Sequence, residues 1–142
     1  MATVERIILA AAVVAVATIV AIVVERRKPA PPTQPPWTAP AQLDRRDFDR
    51  PGAPWLIAVF TSATCDSCAA ALQKAAVLAS DDVVVQDVEV VARKDLHDRY
   101  GIDAVPLILL ADAEGVVRSS FAGPPRASDL WSAVAEARES ST

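Results

Sequence analysis

The chain holds two cysteines, Cys65 and Cys68, with two residues between them. Thiols at this spacing can close a disulfide and reopen it, one thiolate attacking and the other resolving the mixed disulfide. They follow the apolar run Trp55-Leu-Ile-Ala-Val-Phe60 and precede an alanine-rich stretch, residues 69–79. That order predicts a buried strand, a short turn and a helix, with the dithiol where the helix begins. At a helix N-terminus free amides and the helix dipole stabilise an anion. Cys65 is therefore expected to be the more exposed, attacking thiol, and Cys68, one turn in, the buried resolving one.

Other chemistry fits the same pair less fully. Cys-x-x-Cys can be half of a zinc site. The only other soft ligand is His97, between Leu96 and Asp98, read as a solvated residue of a polar helix without a role. Four thiolates would then need a symmetric dimer. A purely structural disulfide would close a tiny loop and stabilise little. Asp81, Asp82, Asp112 and Glu114 read as turn and cap residues, and Arg93-Lys94 as an exposed helix start. There is no nucleotide-binding glycine loop and no Ser/His/Asp set. No metal is expected, and no cofactor beyond the reversible Cys65–Cys68 disulfide.

The elements that must position the pair follow from the rest of the chain. Its 142 residues, 52% hydrophobic with net charge −4, allow one domain with a core. The acidic balance, without a basic stripe, argues against nucleic acid as a partner. Two cysteines cannot scaffold a fold, so the core must hold it. Residues 7–24 form an apolar run broken only by Thr18, followed by Glu25-Arg26-Arg27-Lys28. The run is near the lower length limit for a bilayer span. Its basic cluster follows rather than precedes it, unlike a cleaved signal peptide, and it lacks the polar face of a soluble helix. Residues 28–40 carry six prolines. They predict an extended spacer of about 3.1 Å per residue, with Trp37 at the headgroup level or docked on the domain.

Residues 42–49 are expected to make one helical turn, with Leu43 and Phe48 as apolar points, ended by Pro51-Gly52. Residues 55–60 carry no charge and should form a central strand buried on both faces. A helix is expected from Cys65 to about Ser80, with Leu72, Ala75, Ala76 and Ala79 on its buried stripe. Residues 83–91 read as a second strand and 92–100 as a short helix capped by Gly101. Residues 106–110 form a third strand that opens with a proline. Asp112-Ala-Glu-Gly115 turns it into an antiparallel partner over 116–121. Ser128 is expected to cap a last helix with Asp129 in its first turn and Leu130, Val134 and Ala137 buried. Crossovers through helices suggest that the first three strands run parallel.

This β-α-β-α-β-β-α order, with Cys-x-x-Cys after the first strand, resembles the thioredoxin fold over residues 54–137. Four landmarks carry the resemblance: Cys65-Asp66-Ser67-Cys68, Tyr100-Gly101-Ile102, Val105-Pro106, and the hairpin with Gly115 followed by Gly123. The resemblance is to the wider thioredoxin-like superfamily, particularly its membrane-tethered bacterial members. It implies an α/β fold, a central mixed sheet with helices on both faces, preceded by one transmembrane helix. The expected division is an N-terminal transmembrane anchor with its basic flank over 1–28, a proline-rich linker over 29–40 and a thioredoxin-like domain over 41–142. It also implies that Val105-Pro106 is a cis peptide facing the dithiol, leaving the Val105 backbone to pair with an extended substrate strand.

Several residues depart from the family pattern. Thr64-Cys-Asp-Ser-Cys68 replaces Trp-Cys-Gly-Pro-Cys, and Val59 stands where thioredoxins carry a buried acid. That acid's lysine partner has no counterpart on the 83–91 strand, and Gln73 stands where a kinking proline is common. Asp66, beside Cys65, disfavours a second negative charge and should raise the thiol's pKa. A reductant slower than ordinary thioredoxin is expected, with Ser67 or water assisting proton transfer.

The expected activity is that of a membrane-tethered thiol–disulfide oxidoreductase of the protein-disulfide reductase or isomerase type. Cys65 and Cys68 would be catalytic, Val105 and Pro106 substrate-binding, and Thr64, Asp66, Ser67 and Val59 would tune the motif. The expected partners are protein disulfide or dithiol substrates, an unidentified reductase or membrane electron donor, and the membrane itself through residues 7–24. Two rivals stay open: a non-catalytic thioredoxin-like module that docks a partner protein, and a structural subunit of a membrane complex. A single-pass place in the cell membrane leaves the side open. The positive charges after the helix favour a cytoplasmic domain, and family resemblance favours an extracytoplasmic one.

Overall fold

The computed structural model of the chain describes residues 1–26 and 38–140. The chain divides into two units, Met1–Pro36 and Trp37–Thr142. In the first, Ala2–Arg26 is one helix, α1. Its Thr3–Val20 window has a mean hydropathy of 2.1 with none of it buried, so the helix is long and apolar enough to cross a membrane. The Thr18 hydroxyl donates to the Val14 carbonyl at 2.5 Å, so this polar side chain is satisfied within the helix. The expected linker and the Trp37 reading lie outside the described residues, except for 38–40, which carry no regular structure.

The second unit opens with a single 3-10 turn, Arg45–Asp47, as the 42–49 pattern predicts. The strands are β1 (Trp55–Thr61), β2 (Val83–Glu89), β3 (Leu107–Ala111) and β4 (Val117–Ala122). The helices are α2 (Asp66–Ala76), α3 (Lys94–Tyr100) and α4 (Ala127–Glu139). One mixed sheet has the order β2-β1-β3-β4. All seven residues of β1 are buried, as its lack of charge requires of a central strand. Alternation along β1 separates two cores. Trp55, Ile57 and Val59 face α2 and α4, joining Ala71, Ala75, Leu130, Val134 and Ala137. Leu56, Ala58 and Phe60 face the other way, joining Leu43, Phe48 and, from α3, Leu96.

The strand directions differ from the all-parallel expectation. β1 and β2 are parallel, but β3 runs antiparallel to β1 with Phe60 opposite Leu107. The connection from β2 to β3, residues 90–106 with α3 inside it, re-enters the sheet at the end it left, since Leu107 pairs with Phe60 and Glu89 with the next residue, Thr61. This brings the start of β3 to the end of β1, and so to the dithiol.

Three local expectations are corrected. α2 ends at Ala76, and its buried residues are Cys68, Ala71 and Ala75, while Ala76 and Ala79 are exposed. Tight bonds from Leu78 to Ala75 and from Ala79 to Ala76 close the last turn. Ser80 then pairs with Val83 in both directions, which aims the chain into β2. Arg126, not Ser128, is the N-cap of α4, because its carbonyl accepts the Leu130 amide. His97 is not solvated: it is 4% exposed, donates Nε2–H to the Val88 carbonyl at 2.8 Å and meets Phe60 edge-on at 5.1 Å. Short α3 presses both Leu96 and His97 inward, and the charged residues around them conceal this in the sequence. The αL cap expected at Gly101 is present, with φ 62°.

Candidate thiol–disulfide site

Cys65 is the N-cap of α2 in extended backbone (φ −102°, ψ 107°), and Cys68 lies inside the first turn. Their Cα atoms are 5.4 Å apart and their sulfurs are joined in a disulfide. The pair is unequally exposed, since Cys65 is half-buried and Cys68 is 3% exposed. The backbone explains the arrangement. The Cys65 amide donates to the Ser62 carbonyl at 3.1 Å, turning the chain at the end of β1. The Cys68 amide donates to the Cys65 carbonyl at 3.2 Å and starts the helical turn that brings the sulfurs together.

The residues singled out from the sequence fall in two groups. Thr64, Asp66 and Ser67 surround Cys65. Ser67 Oγ lies 3.6 Å from Cys65 Sγ, Thr64 Oγ1 lies 3.1 Å from Ser62 Oγ, and Asp66 is exposed. Val105-Pro106 is a cis peptide, and the Val105 carbonyl oxygen lies 3.9 Å from Cys65 Sγ. The antiparallel start of β3 makes this approach possible. Pro106 is buried, and its carbonyl accepts the Gly123 amide at 2.8 Å, which holds the loop after β4 against it. Val59 is apart from these residues. It is fully buried in the α2-facing core, opposite Asp87 and Ile108 in the sheet register. Asp87 is exposed and accepts the Thr61 hydroxyl at 2.5 Å. Among the described residues no three His, Cys, Asp or Glu side chains gather as a metal set.

One residue escapes the sequence reading. The Glu89 carboxylate accepts the amides of Val91 at 2.8 Å, Ala92 at 2.9 Å and Ala63 at 3.3 Å. These bonds, that from Ala92 foremost, hold its pKa below the usual carboxylate range. Glu89 stands within a β-branched run, and no local pattern marks it as reaching the loop that leads to Cys65.

No family model and no curated protein matches the chain. Solved structures do match. Thioredoxin 1 from the thermophilic eubacterium Thermosipho africanus TCF52B aligns at 21% identity with a TM-score of 0.55, over 61% of this chain and 97% of that one. A thioredoxin variant from Halobacterium salinarum NRC-1 aligns at 22% identity with a TM-score of 0.48, over 55% of this chain and 69% of its own. A structure described only as a malarial protein aligns at 13% identity with a TM-score of 0.52, over 58% and 96%. The second unit therefore has a thioredoxin-like fold, with a disulfide-forming Cys-x-x-Cys pair where its first strand gives way to a helix.

Proposed function

We propose that the chain is a membrane-tethered thiol–disulfide oxidoreductase that exchanges its Cys65–Cys68 pair with protein partners. The observation that carries this reading is the asymmetry of the pair: a half-buried sulfur at a helix N-cap joined to a sulfur buried one turn in. In the reducing direction the Cys65 thiolate attacks one sulfur of a partner disulfide. That S–S bond breaks, a Cys65–partner disulfide forms, and the other partner sulfur leaves as a thiolate and takes a proton from solvent. Cys68 gives its proton to solvent, directly or by way of Ser67, and its thiolate attacks Cys65 Sγ. The second partner sulfur leaves, and the Cys65–Cys68 disulfide remains. The partner has gained two electrons, and a protein dithiol or membrane electron donor must return them. Run backward, the same steps oxidise a partner dithiol.

In this reading Val105 and Pro106 hold the partner. The Val105 carbonyl beside Cys65 can accept an amide of an extended segment. The Cys65 thiol of the reduced pair can donate to the same oxygen. Helix α1 supplies the tether. A second reading, a binding module with incidental cysteines, is favoured by Val59, which leaves no ionisable group at its point in the core. The deciding experiment combines the reduced full-length chain, in detergent, with a protein disulfide. Wild type should reduce it, Cys65→Ser should be inactive, and Cys68→Ser should accumulate a mixed disulfide. Partner binding unaffected by Cys65→Ser, with no exchange by wild type, would replace the oxidoreductase with the binding module.

A further inference from the structure

Glu89 is the last residue of β2 and sits opposite Thr61, the last residue of β1, in the parallel register. One step beyond, the Val90 amide donates to the Thr61 carbonyl at 2.9 Å, and there the ladder between the strands stops. The Glu89 side chain takes over. Its Oε2 serves the turn leaving β2, through Val91 and Ala92, and its Oε1 reaches Ala63 in the loop leaving β1. Two residues after Ala63 comes Cys65. The two sulfurs are held differently: Cys68 is fixed within α2, whereas Cys65 caps it without a side-chain cap bond and depends on the loop before it.

We propose that Glu89 is a positioning residue for disulfide exchange, one carboxylate that clamps the Cys65 loop to the turn after β2. The inference rests on the oxidoreductase reading above. The clamp needs acceptors on both oxygens, because all three partners are amide donors. Its consequence is geometric. A held Ala63 keeps Cys65 in line with Cys68 and with the Val105 carbonyl 3.9 Å away. A released one lets Cys65 drift from both, so the pair closes less readily and attacks a docked partner less often.

Glutamine separates positioning from plain structural support. Its single amide oxygen can keep the two shorter bonds, to Val91 and Ala92. Its NH2 then faces the Ala63 N–H, donor against donor, and pushes the loop away. The experiment uses the full-length chain in detergent, with Glu89→Gln and Glu89→Ala beside wild type. It measures insulin reduction, the thiol–disulfide equilibrium constant with glutathione, and thermal unfolding. Glu89→Gln should slow insulin reduction about five- to tenfold and lower the constant for closing the pair about threefold, with an unfolding temperature lowered less than that of Glu89→Ala. Glu89→Ala should show the same losses at its lower unfolding temperature. Wild-type exchange matched by Glu89→Gln overturns the clamp alone. Losses that grow in step with the fall in unfolding temperature also overturn it, in favour of a structural role. A wild type that exchanges with neither glutathione nor insulin overturns the oxidoreductase reading, and the clamp's role with it.

Discussion

The two faces of the sheet are closed by different means. On the dithiol face, α2 and α4 lay apolar stripes on Trp55, Ile57, Val59, Ile108 and Leu110. On the opposite face, α3 covers part of the sheet and the irregular segment 38–53 covers the rest. Leu43 and Phe48 from that segment enter the core. Polar bonds then pin it. The Tyr100 hydroxyl donates to Asp47 at 2.5 Å and accepts the Asp44 amide at 2.9 Å, while Arg99 pairs with Asp47 at 3.0 Å. Arg45, 6% exposed, donates Nη1–H to the Asp112 carbonyl at 2.7 Å. Leu43 and Gly115 meet through their backbones at 2.8 Å. A helix with an apolar stripe needs only the hydrophobic effect to place it, whereas an irregular strap needs specific partners. The Cys65–Cys68 disulfide stands at the start of α2, on the helical face.

That contrast can be broken from either side. The largest effect is expected at the pair itself. Cys65→Ser should abolish exchange while shifting unfolding little, because the disulfide closes a very short loop. Next, Leu130→Ala on the dithiol face should cost about 2–5 kcal/mol in stability, since its side chain is fully buried under α4. Chemical denaturation measures this, and a loss below about 1 kcal/mol would mean α4 is not part of the core. Gly115→Ala on the strap face should cost about 1–3 kcal/mol. At φ 83° an L side chain is strained, and its Cβ would overlap the Leu43 carbonyl oxygen. The strap should loosen, read as faster amide exchange at Leu43, while disulfide exchange by the folded protein continues at the wild-type rate.

Tyr100→Phe is a milder test of the same face, worth about 1 kcal/mol. Burial first, then the hydrogen bond to Asp47, pushes the Tyr100 pKa up from 10.0 to about 12. The folded state thus holds this proton more tightly than the unfolded chain. Its contribution is complete below pH 10 and falls as pH rises toward 12. In Tyr100→Phe the part of the alkaline loss of stability that belongs to this group should vanish. The smallest effect is expected at Asp66. Asp66→Asn removes a carboxylate beside Cys65 and should speed insulin reduction a fewfold. Wild-type insulin reduction as fast as that of ordinary thioredoxin would contradict the restraint assigned to Asp66 and Val59.

The dithiol face was largely legible in the sequence, because its signals are local. Charge-free β1, the Cys-x-x-Cys at a helix start and the Leu130/Val134/Ala137 stripe each follow from short-range pattern. The strap face was legible only at Leu43, Phe48 and the Gly101 cap of α3. Its ties join residues far apart in the chain, such as Arg45 with Asp112 and Asp44 with Tyr100. The direction of β3 was hidden for a related reason: it is set by pairing with β1, between residues far apart in the chain. His97 and Glu89 were hidden by their neighbours, since charged residues next to His97 suggested solvent and the valines around Glu89 suggested only a strand.

The most direct test of the account is a redox titration of the full-length chain in detergent. The chain is equilibrated in thiol–disulfide buffers of defined potential, and its free thiols are counted by alkylation and mass. The account predicts a reversible two-electron transition of Cys65 and Cys68 together, with a midpoint between about −270 and −120 mV. A pair that opens only under harsh reduction, or that never closes, would contradict it.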